Sequence, residues 1–150
     1  MLISKENEFR RVLMEWFKST TLINPFAVTL NIKEIKWKDI SQNFRYFMNR
    51  LNTKYLKKSY MKYGNKLKVI PVVEGNDVIN PHYHCMIDNP YLDRDDEFIK
   101  CIEDSWKRTP LQNNRMDIKR MVDSGWYGYI LKSRSKSNLL DSVDFNNLQL

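Results

Sequence analysis

Cysteine is scarce in this chain, since only Cys85 and Cys101 occur among its 150 residues. Two thiols are too few for the disulfide framework of a small secreted domain, so we expect both to be reduced. Long hydrophobic runs are also lacking, because no apolar stretch approaches the roughly 18 residues of a membrane span. The first residues have no apolar core of a signal peptide. These absences predict an intracellular protein without a membrane partner.

Acidic residues are nearly missing from one part of the chain. Between Lys33 and Lys68 only Glu34 and Asp39 are acidic, whereas lysine and arginine recur throughout, and the net charge of the chain is +7. A one-sided basic surface attracts the phosphate backbone of nucleic acids. A solvated lysine-rich helix is the alternative explanation. The acids gather further on, at 93–97, where they complement the positive end of a predicted helix better than they suit a metal site.

The chain also lacks internal repeats, low-complexity tracts and linkers. Its apolar content of 42% and aromatic content of 13% are typical of a folded protein with a real core. We therefore expect a single domain over residues 1–150.

Hydrophobic periodicity predicts the elements of this domain in the order α-β-α-β-β-α-β-α. Asp39 or Ser41 would cap the second helix, Pro71 would mark an edge strand or a bulge, and Asn113-Asn114 would form a turn. The tail at 137–150 has weak signals. The predicted helices cover about 5–18, 40–55, 93–107 and 126–135, and the predicted strands cover 26–32, 67–74, 82–87 and 115–121.

Without its first helix, this order is that of a split βαβ fold of the α+β class, similar to ferredoxins and RNA-recognition domains. We expect an antiparallel sheet with helices on one face and an open face that is available to a ligand. Alternation along the strands assigns five polar residues to the open face: Thr29, Asn31, Glu74, His82 and His84.

The only two histidines of the chain, His82 and His84, are two positions apart in a predicted strand. Their imidazoles should therefore converge on one face, and a hairpin with the preceding strand would bring Glu74 beside them. Two imidazoles and one carboxylate suit a divalent metal with open coordination positions. Cys85 should point to the opposite face. The alternative is that these histidines simply lie on a solvated sheet face.

The last predicted helix has a second chemical pattern. Tyr129 and Lys132 are three positions apart and share a face of the helix, together with Lys136. Tyr127 lies about 200° round the helix from Tyr129, so the two phenols cannot serve one site. An ordinary aromatic helix has the same residues, so the pattern alone does not decide between the two.

In combination, these patterns resemble the HUH superfamily of single-strand DNA endonucleases, and specifically small rolling-circle replication initiator (Rep) proteins. Residues 26–31 resemble the first motif of that family, Pro81-His82-Tyr83-His84 its histidine–hydrophobic–histidine motif, and residues 129–132 its tyrosine–x–x–lysine motif. Glu74 resembles the additional carboxylate ligand. The resemblance covers about Phe26 to Lys136, does not account for the first helix, and leaves no room for the helicase domain of larger relatives.

The resemblance implies a metal-dependent enzyme that nicks and joins single-stranded DNA at a replication origin through a 5′-phosphotyrosyl intermediate. Tyr129 would be the nucleophile, with Tyr127 as the alternative, and Lys132 would orient DNA or stabilise charge. The metal would be Mn²⁺ or Mg²⁺, held by His82, His84 and Glu74. A host helicase would be a further partner, in a bacterial or archaeal cell or in the host of a virus. The residues that would contact DNA are Thr29, Asn31, Lys54, Lys57, Lys58 and Lys136.

Three other functions remain open at this point. A split βαβ sheet with basic flanks is also a platform for single-stranded DNA or RNA without catalysis. The same motifs occur in transposases and relaxases of the HUH type. A metal-dependent hydrolase would use the histidines without a tyrosine intermediate.

Overall fold

The computed structural model describes residues 22–33, 37–74, 81–121 and 143–150, together with Lys5, Glu8, Arg11, Val12, Glu15 and Ser19. Four strands and three helices are defined in this part of the chain. In chain order they are β1 (Pro25–Ile32), α1 (Trp37–Leu56), α2 (Lys58–Met61), β2 (Val69–Glu74), β3 (His82–Asp88), α3 (Asp95–Lys107) and β4 (Gln112–Arg120).

The four strands form one antiparallel sheet in the order β2-β3-β1-β4. β3 therefore lies between β2 and β1, which are joined through α1, and this insertion defines the split βαβ arrangement. The predicted α+β fold class is confirmed. The two central strands, β1 and β3, have a neighbour on both sides.

The core lies between one face of the sheet and the helices α1 and α3. In β1 alternate residues are at most 2% exposed: Phe26, Val28, Leu30 and Ile32. The ring of Phe26 lies 5.0 Å from that of Phe98 in α3, and the ring of Phe44 in α1 lies 4.3 Å from that of Tyr83 in β3. The alternation in β1 thus directs one set of side chains to the helices and leaves the other set on the opposite face.

The long helix α1 buries the apolar stripe that its periodicity predicts, namely Ile40, Phe44, Phe47, Leu51 and Tyr55. Its start was predicted wrongly, because the helix begins at Trp37 and both proposed caps lie inside it. Asp39 is in the first turn, where a negative charge complements the helix dipole. The Ser41 hydroxyl instead donates a hydrogen bond to Asp144 at 3.0 Å.

The predicted turn at Asn113-Asn114 is also wrong, because both residues belong to β4. The ladder between β1 and β4 continues to the pair Ile32↔Gln112 after an irregularity between Leu30 and Ile32. Pairing with a central strand overrides the weak strand preference of asparagine. The other boundaries moved by a few residues, so that β2 begins at Val69 and α3 at Asp95.

In the N-terminal region, the six described residues before Leu22 are all helical, including Ser19 just beyond the predicted end. Val12 was expected on the apolar face of this helix but is 49% exposed. The Arg11 guanidinium forms an ion pair with Glu15 at 2.9 Å on the solvated side.

The segment 143–150 adds to the edge of the sheet beside β2, through bridges from Val69 to Gln149 and from Val72 to Val143. The backbone N–H of Asp144 donates to the carbonyl oxygen of Pro71 at 2.9 Å. Pro71 has no N–H group to pair in return, and its position in the edge strand of the four-stranded sheet agrees with the prediction. The weak signals of the C-terminal sequence did not predict this pairing.

Two predicted features, the turn at 75–80 and the helix at 126–135, lie outside the described residues. No helix within the described ranges is long and apolar enough to cross a membrane.

Candidate metal centre

Strand register brings the two histidines and the glutamate to one place on the sheet. Glu74 of β2 is paired with His82 of β3, and His84 is the next residue of β3 on the same face. Residues that are directly opposite in an antiparallel pair point to the same face. Tyr83 and Cys85 alternate to the other face, where both are buried in the core. The predicted orientation of the histidines and of Cys85 is therefore confirmed.

Three donor atoms converge at this point. His82 Nε2 and His84 Nε2 are 3.0 Å apart. Glu74 Oε2 lies 3.4 Å from the first nitrogen and 3.3 Å from the second. The three side chains retain between 16% and 25% of their accessible surface, so the cluster is half-buried and still reachable.

The charge of the glutamate is stabilised within this cluster. Hydrogen bonds with His82 and then His84 lower the pKa of Glu74 to about 2, although desolvation acts in the opposite direction. The carboxylate is therefore ionised at neutral pH. A carboxylate and two imidazole nitrogens at these distances require a shared proton or a cation between them, because their lone pairs would otherwise repel each other.

Thr29 in β1 orients one of these ligands from behind. It is paired with His84 across the sheet, and its Oγ1 lies 3.1 Å from His84 Nδ1. An Nδ1–H group that donates to this hydroxyl leaves the lone pair of Nε2 directed at the cluster. Such partners of a ligating histidine select its tautomer and hold its ring.

The donor set and its spacing fit a divalent cation. Donor atoms that are each about 2.1 Å from one cation lie about 3.0 Å apart at right angles and about 3.4 Å apart at tetrahedral angles. The observed separations of 3.0, 3.3 and 3.4 Å fall in this interval. Glu74, His82 and His84 are the one group of three or more metal-ligating side chains found within the described ranges. Three adjacent positions would be filled, and the others would stay open for a substrate oxygen.

The same face of the sheet also has an apolar part. Ile70 and Val72 share the face of Glu74 on β2, Met86 shares the face of His84 on β3, and all three are at most 3% exposed. They do not belong to the core cluster under the helices. The predicted open face is thus polar and accessible at the histidine end, and buried next to it.

The structure places the other predicted site residues in three groups. Asn31 lies beside the cluster, paired with His82, and its amide donates to the carbonyl oxygen of Arg115 at 3.1 Å. Lys54 is on the helical side, in an ion pair with Asp104 at 3.2 Å. Lys57 and Lys58 are exposed at the end of α1, so these three lysines do not join the histidines on one face. The described ranges do not include Tyr127, Tyr129, Lys132 and Lys136.

Sequence reasoning assigned Thr29 to DNA contact and missed its hydrogen bond with His84. Alternation placed the hydroxyl on the correct face, but only the register of β1 against β3 shows which histidine it meets. Sequence reasoning also missed the link between Tyr83 and Asp144, whose side chains are 2.8 Å apart from phenol to carboxylate. No local sequence signal connects residues that are 61 positions apart.

The comparisons with known proteins agree with this site. A family profile described as replication-associated protein ORF2 matches residues 25–138, which is more than half of the chain. The match begins at the first residue of β1 and includes all four strands and the Glu–His–His cluster. Neither the curated proteins nor the solved structures gave a significant match. The cluster fits the histidine motif of HUH proteins, and the chain belongs to the replication-associated protein ORF2 family, consistent with a Rep-like rolling-circle initiator.

Proposed function

We propose that this protein is a metal-dependent endonuclease that nicks and rejoins single-stranded DNA at a replication origin and so initiates rolling-circle replication. Membership of the replication-associated family supports a role in replication initiation and the binding of DNA at an origin. The observation that carries the endonuclease activity is the convergence of Glu74, His82 and His84 within 3.4 Å of one another.

A bound Mn²⁺ or Mg²⁺ would polarise the scissile phosphate and stabilise the charge on its oxygens. Glu74 and the two histidines would hold it on one side, which leaves the opposite side for phosphate oxygens. The ionised carboxylate of Glu74 partly offsets the charge of the cation, and the Thr29–His84 hydrogen bond holds one ligand in the binding tautomer.

The nucleophile in this proposal is the phenolic oxygen of Tyr129. As it loses its proton, this oxygen forms a bond to phosphorus, and the bond from phosphorus to the 3′-oxygen of the preceding nucleotide breaks. The 3′-oxygen takes a proton and leaves as a hydroxyl, while the 5′-phosphate stays on the tyrosine. One phosphodiester replaces another, so the reverse attack by a 3′-hydroxyl can rejoin the strand.

Lys132 would lie beside Tyr129 and stabilise negative charge near the phenol, whose pKa is ordinarily about 10. Burial of Ile70, Val72 and Met86 beside the cluster supports a covering element on this face, as delivery of a nucleophile to the metal requires. Tyr127 is the alternative nucleophile.

The test uses single-stranded oligonucleotides that tile the replication origin of the genetic element encoding this chain. Each is incubated with the protein and Mn²⁺, and adducts are detected on a denaturing gel. We expect an adduct with the wild type and with Tyr127→Phe, and none with Tyr129→Phe or with the double variant His82→Ala/His84→Ala.

The other outcomes overturn parts of the proposal. An adduct that is lost in Tyr127→Phe and kept in Tyr129→Phe moves the nucleophile to Tyr127. Cleavage of the oligonucleotides without any adduct indicates a metal-dependent hydrolase. Binding without cleavage at every origin segment indicates a binding platform.

A further inference from the structure

A groove between α1 and α3 lies on the helical side of the molecule, so the sheet separates it from the Glu–His–His cluster. Its volume is about 540 Å³. Tyr46, Arg50 and Lys54 of α1 form one wall. The other wall consists of Asp104 and Ser105 of α3 and Arg108, which follows this helix. We call this feature the α1–α3 groove.

Two polar atoms in the walls of the groove lack a hydrogen-bond partner in the part of the chain that the structure describes. They are Arg50 Nε and Ser105 Oγ, and both are buried. Ser105 is only 2% exposed. A helical serine commonly donates its hydroxyl to the carbonyl of the preceding turn, but this one does not. Buried polar groups are normally paired, so two unsatisfied atoms in one groove point to a missing partner that is an acceptor.

The charge of the groove defines what this acceptor is. The ammonium of Lys54 is 3.2 Å from the carboxylate of Asp104, and these two charges offset each other. Arg50 and Arg108 then leave an excess of positive charge, with one guanidinium on each wall. Guanidinium groups match the oxygens of a phosphate and form paired hydrogen bonds with them. The groove therefore suits an anion with several oxygens, as in a phosphodiester.

An aromatic ring lies next to these charges. Tyr46 is 44% exposed, and the guanidinium of Arg50 lies 5.5 Å from the centre of its ring and donates to its hydroxyl at 3.1 Å. Tyr46 and Arg108 also line an adjoining cavity with Pro110 and Leu111, so the surface continues beyond the groove. Alternating cations and an exposed ring are typical of surfaces that bind single-stranded nucleic acid, where the ring stacks on a base.

We propose that the α1–α3 groove binds a stretch of single-stranded DNA distinct from the one that is cleaved, with a phosphate between Arg50 and Arg108 and a base on Tyr46. This second site would hold the strand on the helical side while the reaction proceeds on the opposite face. It rests on the proposed function for the choice of DNA as the ligand, but it does not depend on the metal.

The test measures the binding of fluorescein-labelled (dT)30 by anisotropy in EDTA, at several NaCl concentrations, with the Tyr129→Phe variant as the parent. In this background we expect Arg50→Gln/Arg108→Gln to weaken binding by about 10- to 30-fold at 0.1 M salt. The slope of log K against log[NaCl] should fall by about 1.4, since each lost phosphate contact on a single strand removes about 0.7.

The matched control is Lys62→Gln/Lys100→Gln, which removes two exposed charges of the helical side that do not line the groove. We expect a change in affinity of less than about 3-fold, as for a long-range charge effect that salt screens. An equal loss of affinity in both double variants would overturn the proposal, because binding would then follow net charge alone.

A second variant separates the groove from general electrostatics. Ser105→Ala removes the unpaired hydroxyl without a change of charge, so it should weaken (dT)30 binding about 3- to 10-fold with no fall in melting temperature. Unchanged affinity in Ser105→Ala and in Tyr46→Ala would also overturn the proposal. Since these measurements need neither cleavage nor metal, they can fail while adduct formation at Tyr129 holds, and the reverse.

Discussion

Among the residues of the cluster, His84 has the most complete environment. Its Nε2 faces His82 and Glu74, and its Nδ1 faces the hydroxyl of Thr29. Each ring nitrogen thus has a different task, since one is held by the sheet and the other remains available to a cation. The quality of this site depends on Thr29 as much as on the three ligands.

The first prediction concerns this hydroxyl. Thr29→Val keeps the shape of the side chain but removes the acceptor for His84 Nδ1–H, so the imidazole loses its preferred tautomer and orientation. We expect the affinity for Mn²⁺ to fall about 10- to 100-fold, the usual effect of losing such a partner. Isothermal titration calorimetry measures the affinity, and ¹⁵N chemical shifts of the His84 ring report the tautomer.

Thr29→Ser is the matched control, since it restores the hydroxyl, and it should return most of the affinity. If Thr29→Val binds Mn²⁺ as tightly as the wild type, Thr29 has no positioning role. If the wild type itself shows no binding, or if His82→Ala/His84→Ala binds equally well, the metal centre itself is wrong.

Much of the site was predictable at the scale of residues. Alternation in a strand is a local property, so His82, His84, Glu74 and Thr29 could be assigned to one face from the sequence. The lysines were a different matter. Lys54 was predicted near the DNA track, yet its ammonium pairs with Asp104 of α3, a contact between two helices that no local pattern encodes.

At the scale of elements, the segment 143–150 is held to the sheet by a buried carboxylate. Asp144 is 1% exposed and accepts hydrogen bonds from Tyr83, Ser41 and Asn147 at 2.8, 3.0 and 2.7 Å. Tyr83 stands between the two histidines on β3 and points to the opposite face. The strand that carries the metal ligands is therefore tied directly to the C-terminal segment.

The second prediction tests this tie. Tyr83→Phe removes one of the three side-chain donors and leaves an oxygen of Asp144 short of a partner. We expect the free energy of unfolding to fall by about 1–3 kcal/mol, as for the loss of a hydrogen bond to a buried charged group. Urea denaturation followed by circular dichroism measures this free energy.

Tyr46→Phe is the matched control, because the Tyr46 hydroxyl lies at an exposed site. Its effect on the free energy of unfolding should stay within about 0.5 kcal/mol. Equal destabilisation by the two variants would show that the contact with Asp144 has no special weight.

The elements themselves were largely predictable, because amphipathic helices and alternating strands depend on neighbours in the sequence. The failures occurred where tertiary pairing overrides local preference. Asn113-Asn114 is extended because β1 offers hydrogen-bonding partners, and Ser41 lies inside α1 because its hydroxyl has a partner in Asp144.

For the whole molecule, a cation bound between β2 and β3 should stabilise the fold. The ligands come from two strands that are joined only in the folded state, so the unfolded chain cannot present them at these distances. Binding to the folded state alone adds a free energy that depends on the ratio of ligand concentration to Kd.

The third prediction follows from this linkage. With Mn²⁺ at 100 times its Kd, we expect stabilisation of about 2.7 kcal/mol and a rise in Tm of about 5–10 °C for a domain of this size. Thermal denaturation in Mn²⁺ and in EDTA measures the shift.

The double variant His82→Ala/His84→Ala should show no such rise. A rise of the same size in this variant would mean that Mn²⁺ binds elsewhere on the folded protein. A wild-type Tm that does not respond to Mn²⁺ would contradict the metal centre.

The amino-acid sequence by itself determined the fold class, the face on which each strand residue lies and the identity of the three candidate ligands. These properties follow from spacing along the chain. Only the tertiary structure decided the strand register that sets the 3.0–3.4 Å separations, the hydrogen bond of Thr29 with His84, the burial of Asp144 and the groove between α1 and α3. The reason is that these depend on contacts between residues far apart in the chain, whose energies no local pattern records.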